Sequence, residues 1–166
     1  RAPSGRPPPA PFPRVSLMLH RPRIGTSVTP DGLRVTADLP CDLDLAWQLL
    51  TTPDRIARWW GGHVAFEPKL GGKIREDWTD GDRAVVTTGE VTLWEPPSRL
   101  EYHWADDVWP GRTRVSFHLV KARTGTRLVL EEKGWEALPG RTRPELIQAH
   151  AEQWSYYMGR LVALAR

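Results

Sequence analysis

Two side chains in this sequence could move protons from inside a folded chain: the carboxylate of Glu76 and the imidazole of His150. The run KIREDW at 73–78 alternates, so Ile74, Glu76 and Trp78 share one face of a strand and the carboxylate falls among apolar groups. A carboxylate so placed loses hydration and its pKa rises unless a donor compensates; groups perturbed in this way concentrate at functional sites. The competing reading is a twisted or bulged strand that turns Glu76 out to solvent or to an arginine. His150 lies on the inward stripe of the last helical segment, where it is either the partner of Glu76 or a satisfied core or rim histidine. No other residue is a catalytic candidate.

The remaining chemistries find little to work with. His20, His63, His103, His118 and His150 lack the spacing of metal ligands, and no two-histidine, one-carboxylate cluster is apparent. There is no Gly-x-Ser-x-Gly elbow, no Gly-x-x-x-x-Gly-Lys loop and no Gly-x-Gly-x-x-Gly turn. Cys41, near a helix start, reads as an inert thiol. Neither a metal nor a cofactor is expected.

Nine tryptophans in 166 residues is a high count, and it either fills a core or walls a pocket. Trp47 and Trp94 read as core or sheet-edge packing. Trp59, Trp60, Trp78, Trp104 and Trp154 converge on one space with Tyr102 and Phe117, as in ligand pockets, which are mostly apolar with a few placed polar groups. Glu76, His150 and Gln153 would be those polar groups. In TTPDRIARWWGG at 51–62, Trp59 and Trp60 end a short helix and Gly61 and Gly62 follow. The glycines reach backbone angles closed to other residues, so the segment is either a gate hinge or a plain helix C-cap. Trp109, on the turn DDVWPG, is either a lid or a surface contact.

The elements that must position these residues are readable by period. LRVTADL, from Leu33, alternates as a half-buried strand. CDLDLAWQLL then shows helical spacing with acids at its positive end, and Thr52, Pro53 and Asp54 start a second short helix. Six candidate strands follow, HVAFEP, KIREDW, AVVTTGEVTLW, RLEYHWA, RTRVSFHLVKA and TRLVLEEK, separated by turn-forming residues. From about Thr142, Leu146, His150, Gln153, Trp154, Tyr157, Leu161 and Leu164 form one stripe of a long amphipathic helix. The predicted fold is α+β: a curved antiparallel sheet of about seven strands wrapped around the C-terminal helix, with two short helices after the first strand.

Charge and composition narrow the partners. Residues 1–32 carry five arginines against Asp31, and half of the sixteen prolines, whereas residues 33–166 carry 18 basic and 19 acidic residues. The leader 1–32 is therefore expected to be disordered or extended, and 33–166 to form a single domain. The near-neutral domain argues against a nucleic-acid groove. The apolar run at 15–19 is too short for export or membrane insertion. The single cysteine excludes an internal disulfide, and a cytoplasmic location is the simplest expectation.

The order of elements resembles the helix-grip fold of the START-like (SRPBCC) superfamily. The words PCDLDLAWQLLTTPDRIARWW, KLGGKI, GEVTLWEPPSRLEYHW and HAEQWSYYMGRL resemble, in order and spacing, those of bacterial homologues of the Hsp90 ATPase activator C-terminal domain, over roughly residues 33–164. Gln153 stands where that family usually has a glycine before the tryptophan. The resemblance implies a module for lipids or other hydrophobic or aromatic small molecules. Its alternatives are a polyketide cyclase or aromatase using Glu76 and His150, and a module that binds a protein partner or a second copy of itself.

Overall fold

A computed structural model describes residues 23–166, so the expectation for a disordered leader falls, over 1–22, outside the described residues. The order is β1 (Ile24–Thr29), β2 (Gly32–Leu39), α1 (Leu43–Thr51), α2 (Pro53–Trp59), β3 (Val64–Phe66), β4 (Lys73–Asp80), β5 (Arg83–Glu95), β6 (Arg99–Asp106), β7 (Thr113–Lys121), β8 (Thr126–Lys133), a single 3-10 turn (Trp135–Ala137) and α3 (Arg143–Leu164). All strands pair antiparallel in one sheet, ordered β1-β2-β8-β7-β6-β5-β4-β3. The sheet thus has eight strands rather than about seven, and the two short helices follow its second strand. The added strand is β1, inside the segment expected to be a disordered or extended leader. Its last four residues are exposed, so it carries no buried alternation to reveal it; backbone pairing to β2 and contact with α3, including a Thr26–Ser155 hydroxyl bond, hold it.

The local chemistry of the helix starts follows the sequence. Asp42 Oδ1 accepts the Leu45 N–H at 2.8 Å and caps α1. Thr52 ends α1 and precedes Pro53, the first residue of α2, whose fixed φ suits that position. Inward residues alternate along the strands, with Val35 and Ala37 on β2, Leu100 and Tyr102 on β6, Val115 and Phe117 on β7 and Leu128 and Leu130 on β8 all buried.

The stripe that α3 buries is Ile147, Ala151, Trp154, Met158, Leu161 and Val162. It is rotated from the expected one: His150 and Tyr157 sit at its margin, and Gln153 is exposed on the outer side. A helix rises 1.5 Å and turns about 100° per residue, so choosing the neighbouring row shifts the face without disturbing the period. α3 packs on β1, β2, α2 and the 3-10 turn.

Candidate functional site

Trp60 is the centre of the interior between sheet and helix. Its ring lies 5.4 Å from Trp59, 5.3 Å from Trp154, 5.8 Å from Trp104, 6.5 Å from Tyr102 and 6.4 Å from Tyr157, centroid to centroid. Phe117 closes the far wall against Tyr102 and Trp154. Trp59 anchors the pair, since its indole N–H donates to the Leu49 carbonyl at 2.8 Å. Trp59, Trp60, Trp104, Trp154, Tyr102 and Phe117 thus lie against one another and in this conformation fill the interior, with Trp60 buried, whereas Trp78, half-buried on β4, bonds Thr87 instead of joining these rings. A hollow of about 790 Å³ lies elsewhere, between the β2–α1 and β7–β8 connections, bordered by Arg23, Cys41, Asp44, Lys121 and Gly125.

Tyr102 carries the one tyrosine hydroxyl of the described residues that is buried without a hydrogen-bond partner. Burial, with the charges of Glu132 and Glu76 adding to it, pushes its pKa well above the ordinary phenol value. The hydroxyl is thus a neutral donor within the electrostatic reach of two carboxylates.

Glu76 is buried on the inner face of β4, as the alternation of KIREDW predicts. Its partner is His63, whose Nε2 lies 3.2 Å from Oε1, and not His150. Burial raises the Glu76 pKa, and the His63 hydrogen bond and charge offset only part of that. Strand register puts Glu76 beside Thr87 and Thr87 beside Asp106, so an inward polar row crosses β4, β5 and β6. Thr87 donates to Asp106 and accepts the Trp78 indole N–H at 2.9 Å. Burial, first among the causes, raises the Asp106 pKa as well.

His150 belongs to a second carboxylate, Glu132, which is absent from the candidates drawn from the sequence. Glu132 is fully buried and accepts four hydrogen bonds: from Thr113 Oγ1 at 2.7 Å, the Trp104 and Trp154 indole nitrogens at 3.0 Å each, and His150 Nδ1 at 3.1 Å. Burial alone would push its pKa up; the His150 charge and these donors overcome that and hold it below the usual value. The reciprocal holds for His150: burial pulls its pKa down, but Glu132, with Asp106 and Glu76 behind it, keeps it above the ordinary imidazole value. A signal for Glu132 exists in the pattern. Thr126, Leu128 and Leu130 read as inward, and one further step of the same alternation reaches Glu132.

Trp135, likewise outside those candidates, is completely buried in the 3-10 turn, donates to the Glu132 carbonyl at 3.1 Å and lies 4.9 Å from the His150 ring. Trp109 tilts over His150 at 5.6 Å. It covers the histidine rather than the Gly61 end of the interior.

The two glycines differ. Gly61 has φ +137°, a region that favours glycine, and a Cβ there would stand 2.5 Å from the His63 ring. A Cβ at Gly62 would meet nothing within 4 Å. The segment from Trp60 to His63 is therefore a tight turn that ends in the His63–Glu76 clasp.

A curved antiparallel sheet closed over one long helix, with aromatic residues between them, defines the helix-grip class of proteins. Within it, the chain belongs to the family of Activator of Hsp90 ATPase homolog 1-like proteins, whose model matches residues 40–166. The structure is similar to that of a protein from Rhodobacter sphaeroides, at 26% identity and TM-score 0.67, covering 85% of this chain and 95% of that one. It is also similar to DynU16, a protein of the dynemicin biosynthetic locus, at 28% identity and TM-score 0.64, over 78% of this chain but only 45% of that longer chain. A Mesorhizobium loti protein shares the fold at 24% identity and TM-score 0.66, covering 84% of this chain and 96% of that one. No curated protein matches the sequence. Among the described residues no helix is long and apolar enough to cross a membrane.

Proposed function

We propose that the chain binds a hydrophobic or aromatic small molecule in the space between sheet and α3, entering where Trp60 swings out on the Gly61 turn. The observation that carries this reading is the Tyr102 hydroxyl, enclosed by aromatic rings with no partner of its own. An unmade buried hydrogen bond costs about 1–3 kcal/mol, which a guest offering one polar atom recovers. The guest's rings would replace indole contacts, and burial contributes about 25 cal/mol per Å² of apolar area before association costs are subtracted.

The interior is closed in this conformation, so binding couples to displacement of Trp60 and to release of the His63–Glu76 clasp. Titration with 1-naphthylmethanol, followed by the indole N–H signals of Trp60, Trp104 and Trp154 in nuclear magnetic resonance spectra, tests the reading. Saturable shifts of all three are expected. If only peripheral tryptophans such as Trp94 respond, or none does, the reading fails.

Acid–base catalysis on the guest is the second reading, and the Glu132–His150 couple favours it. A buried carboxylate fixes the imidazole tautomer, since the proton on Nδ1 must face Glu132, leaving Nε2 for a guest. Glu76 then acts apart from His150 rather than with it. Turnover that survives His150→Gln unchanged, in any reaction the protein is found to catalyse, would remove this reading.

A further inference from the structure

The interior has a charge asymmetry. Among the described residues the buried charged side chains are Glu76 and Glu132, both acids, with no buried lysine or arginine. Glu132 is saturated by its four donors and is neutralised by His150. Glu76 has only His63, and Asp106 only Thr87. These two carboxylates flank Thr87 on adjacent strands, so their backbones are about 10 Å apart, twice the strand spacing. The Thr87 side chain stands between them, bonded to Asp106, so a group that reaches both carboxylates lies over Thr87. The unpartnered Tyr102 hydroxyl, which feels Glu76, is an independent unmet polar group in the same region.

We infer that the ligand of this interior is a planar aromatic molecule bearing an amine, whose ammonium group sits between Glu76 and Asp106 while its rings lie against Trp60, Trp104 and Trp154. This rests on the ligand-binding reading above and names the chemistry of the guest. An ammonium donates to both carboxylates, and it gains the attraction of aromatic faces for a cation. A neutral ring of the same shape leaves two dehydrated carboxylates without a counter-charge. An anionic one adds like charge to them. The basic groups that face the site, His63 on the turn after α2 and His150 on α3, are each engaged by a carboxylate already.

Isothermal titration calorimetry of the unmodified protein at about pH 7.5 with three probes of matched size decides it. 1-Naphthylmethylamine is expected to bind at least tenfold more tightly than 1-naphthylmethanol, and 1-naphthoate most weakly. In the double variant Glu76→Gln, Asp106→Asn the amine should lose its advantage while the alcohol still binds. Equal or tighter binding of the alcohol or the naphthoate overturns the amine assignment and leaves the binding reading standing. Failure of all three probes overturns both. The ranking on the unmodified chain suffices even where the double variant does not fold.

Discussion

Glu132 and Glu76 are the same residue type, both inward on strands of one sheet and both buried, yet they are opposite in character. Glu132 has four donors, a counter-charge and a depressed pKa. Glu76 has one donor, from a turn that is partly open to water, and a raised pKa. Burial penalises both in the same direction, so the difference is made by what the neighbouring elements bring. Glu132 collects donors from β6, β7 and α3, and it binds them together. Glu76 receives a single histidine from the irregular backbone after α2. A saturated buried carboxylate is a structural joint, whereas an undersupplied one is a place for chemistry or a guest.

The largest test of this contrast is Glu132→Ala. It strands two indole N–H groups, a threonine hydroxyl and the His150 proton, and the loss of stability should be about 3–5 kcal/mol. Denaturant unfolding that shows less than about 1 kcal/mol would refute the joint. Trp60→Ala should cost about 3 kcal/mol, at the low end for an aromatic-to-alanine change, because the turn beside it can collapse. A loss near about 5 kcal/mol would instead mark Trp60 as immobile core.

Gly61→Ala should cost about 1–2 kcal/mol from its positive φ and the His63 contact, while Gly62→Ala should be neutral within about 0.5 kcal/mol. Thermal denaturation of the pair separates a required turn from a flexible linker; equal losses would contradict the distinction.

The pH dependence is subtler. His150 has a raised folded pKa, so its stabilisation is complete below the ordinary imidazole value of 6.5 and is lost as pH rises through the folded value. Glu132, depressed, stabilises above the ordinary 4.5 and loses this as pH falls through its folded value. The couple is therefore strongest between those two ordinary values, near about pH 5–6. Glu76 is raised, so the stability it lends is present below 4.5 and fades upward. Stability curves at several pH values should show His150→Gln flattening the decline above about pH 6.5, and Glu76→Gln becoming less harmful, relative to the parent, as pH increases. A Glu76→Gln penalty that grows with pH would mean that Glu76 is a well-compensated carboxylate like Glu132.

The alternation that turns Glu76, Tyr102, Trp104 and Phe117 inward is legible because a strand's period of two is a local property of the backbone. So are the tandem helices, from Asp42, Thr52 and Pro53. β1 is not, since an edge strand whose last four residues are exposed carries no buried alternation. The buried face of α3 differs by one row from the expected stripe because apolar residues stand on both adjacent rows, and only the sheet beneath chooses between them. Trp135 escapes a reading by pattern because a single 3-10 turn has no period to detect.

Periodicity and capping, which act within a few residues, are enough to place most of the strands, the helices and a carboxylate on an apolar face. The pairing of His150 with Glu132 and of His63 with Glu76 belongs to the folded chain alone. His63 meets Glu76, 13 positions away, through the pairing of β3 with β4, and His150 meets Glu132, 18 positions away, where α3 lies over the end of β8; the local pattern encodes neither.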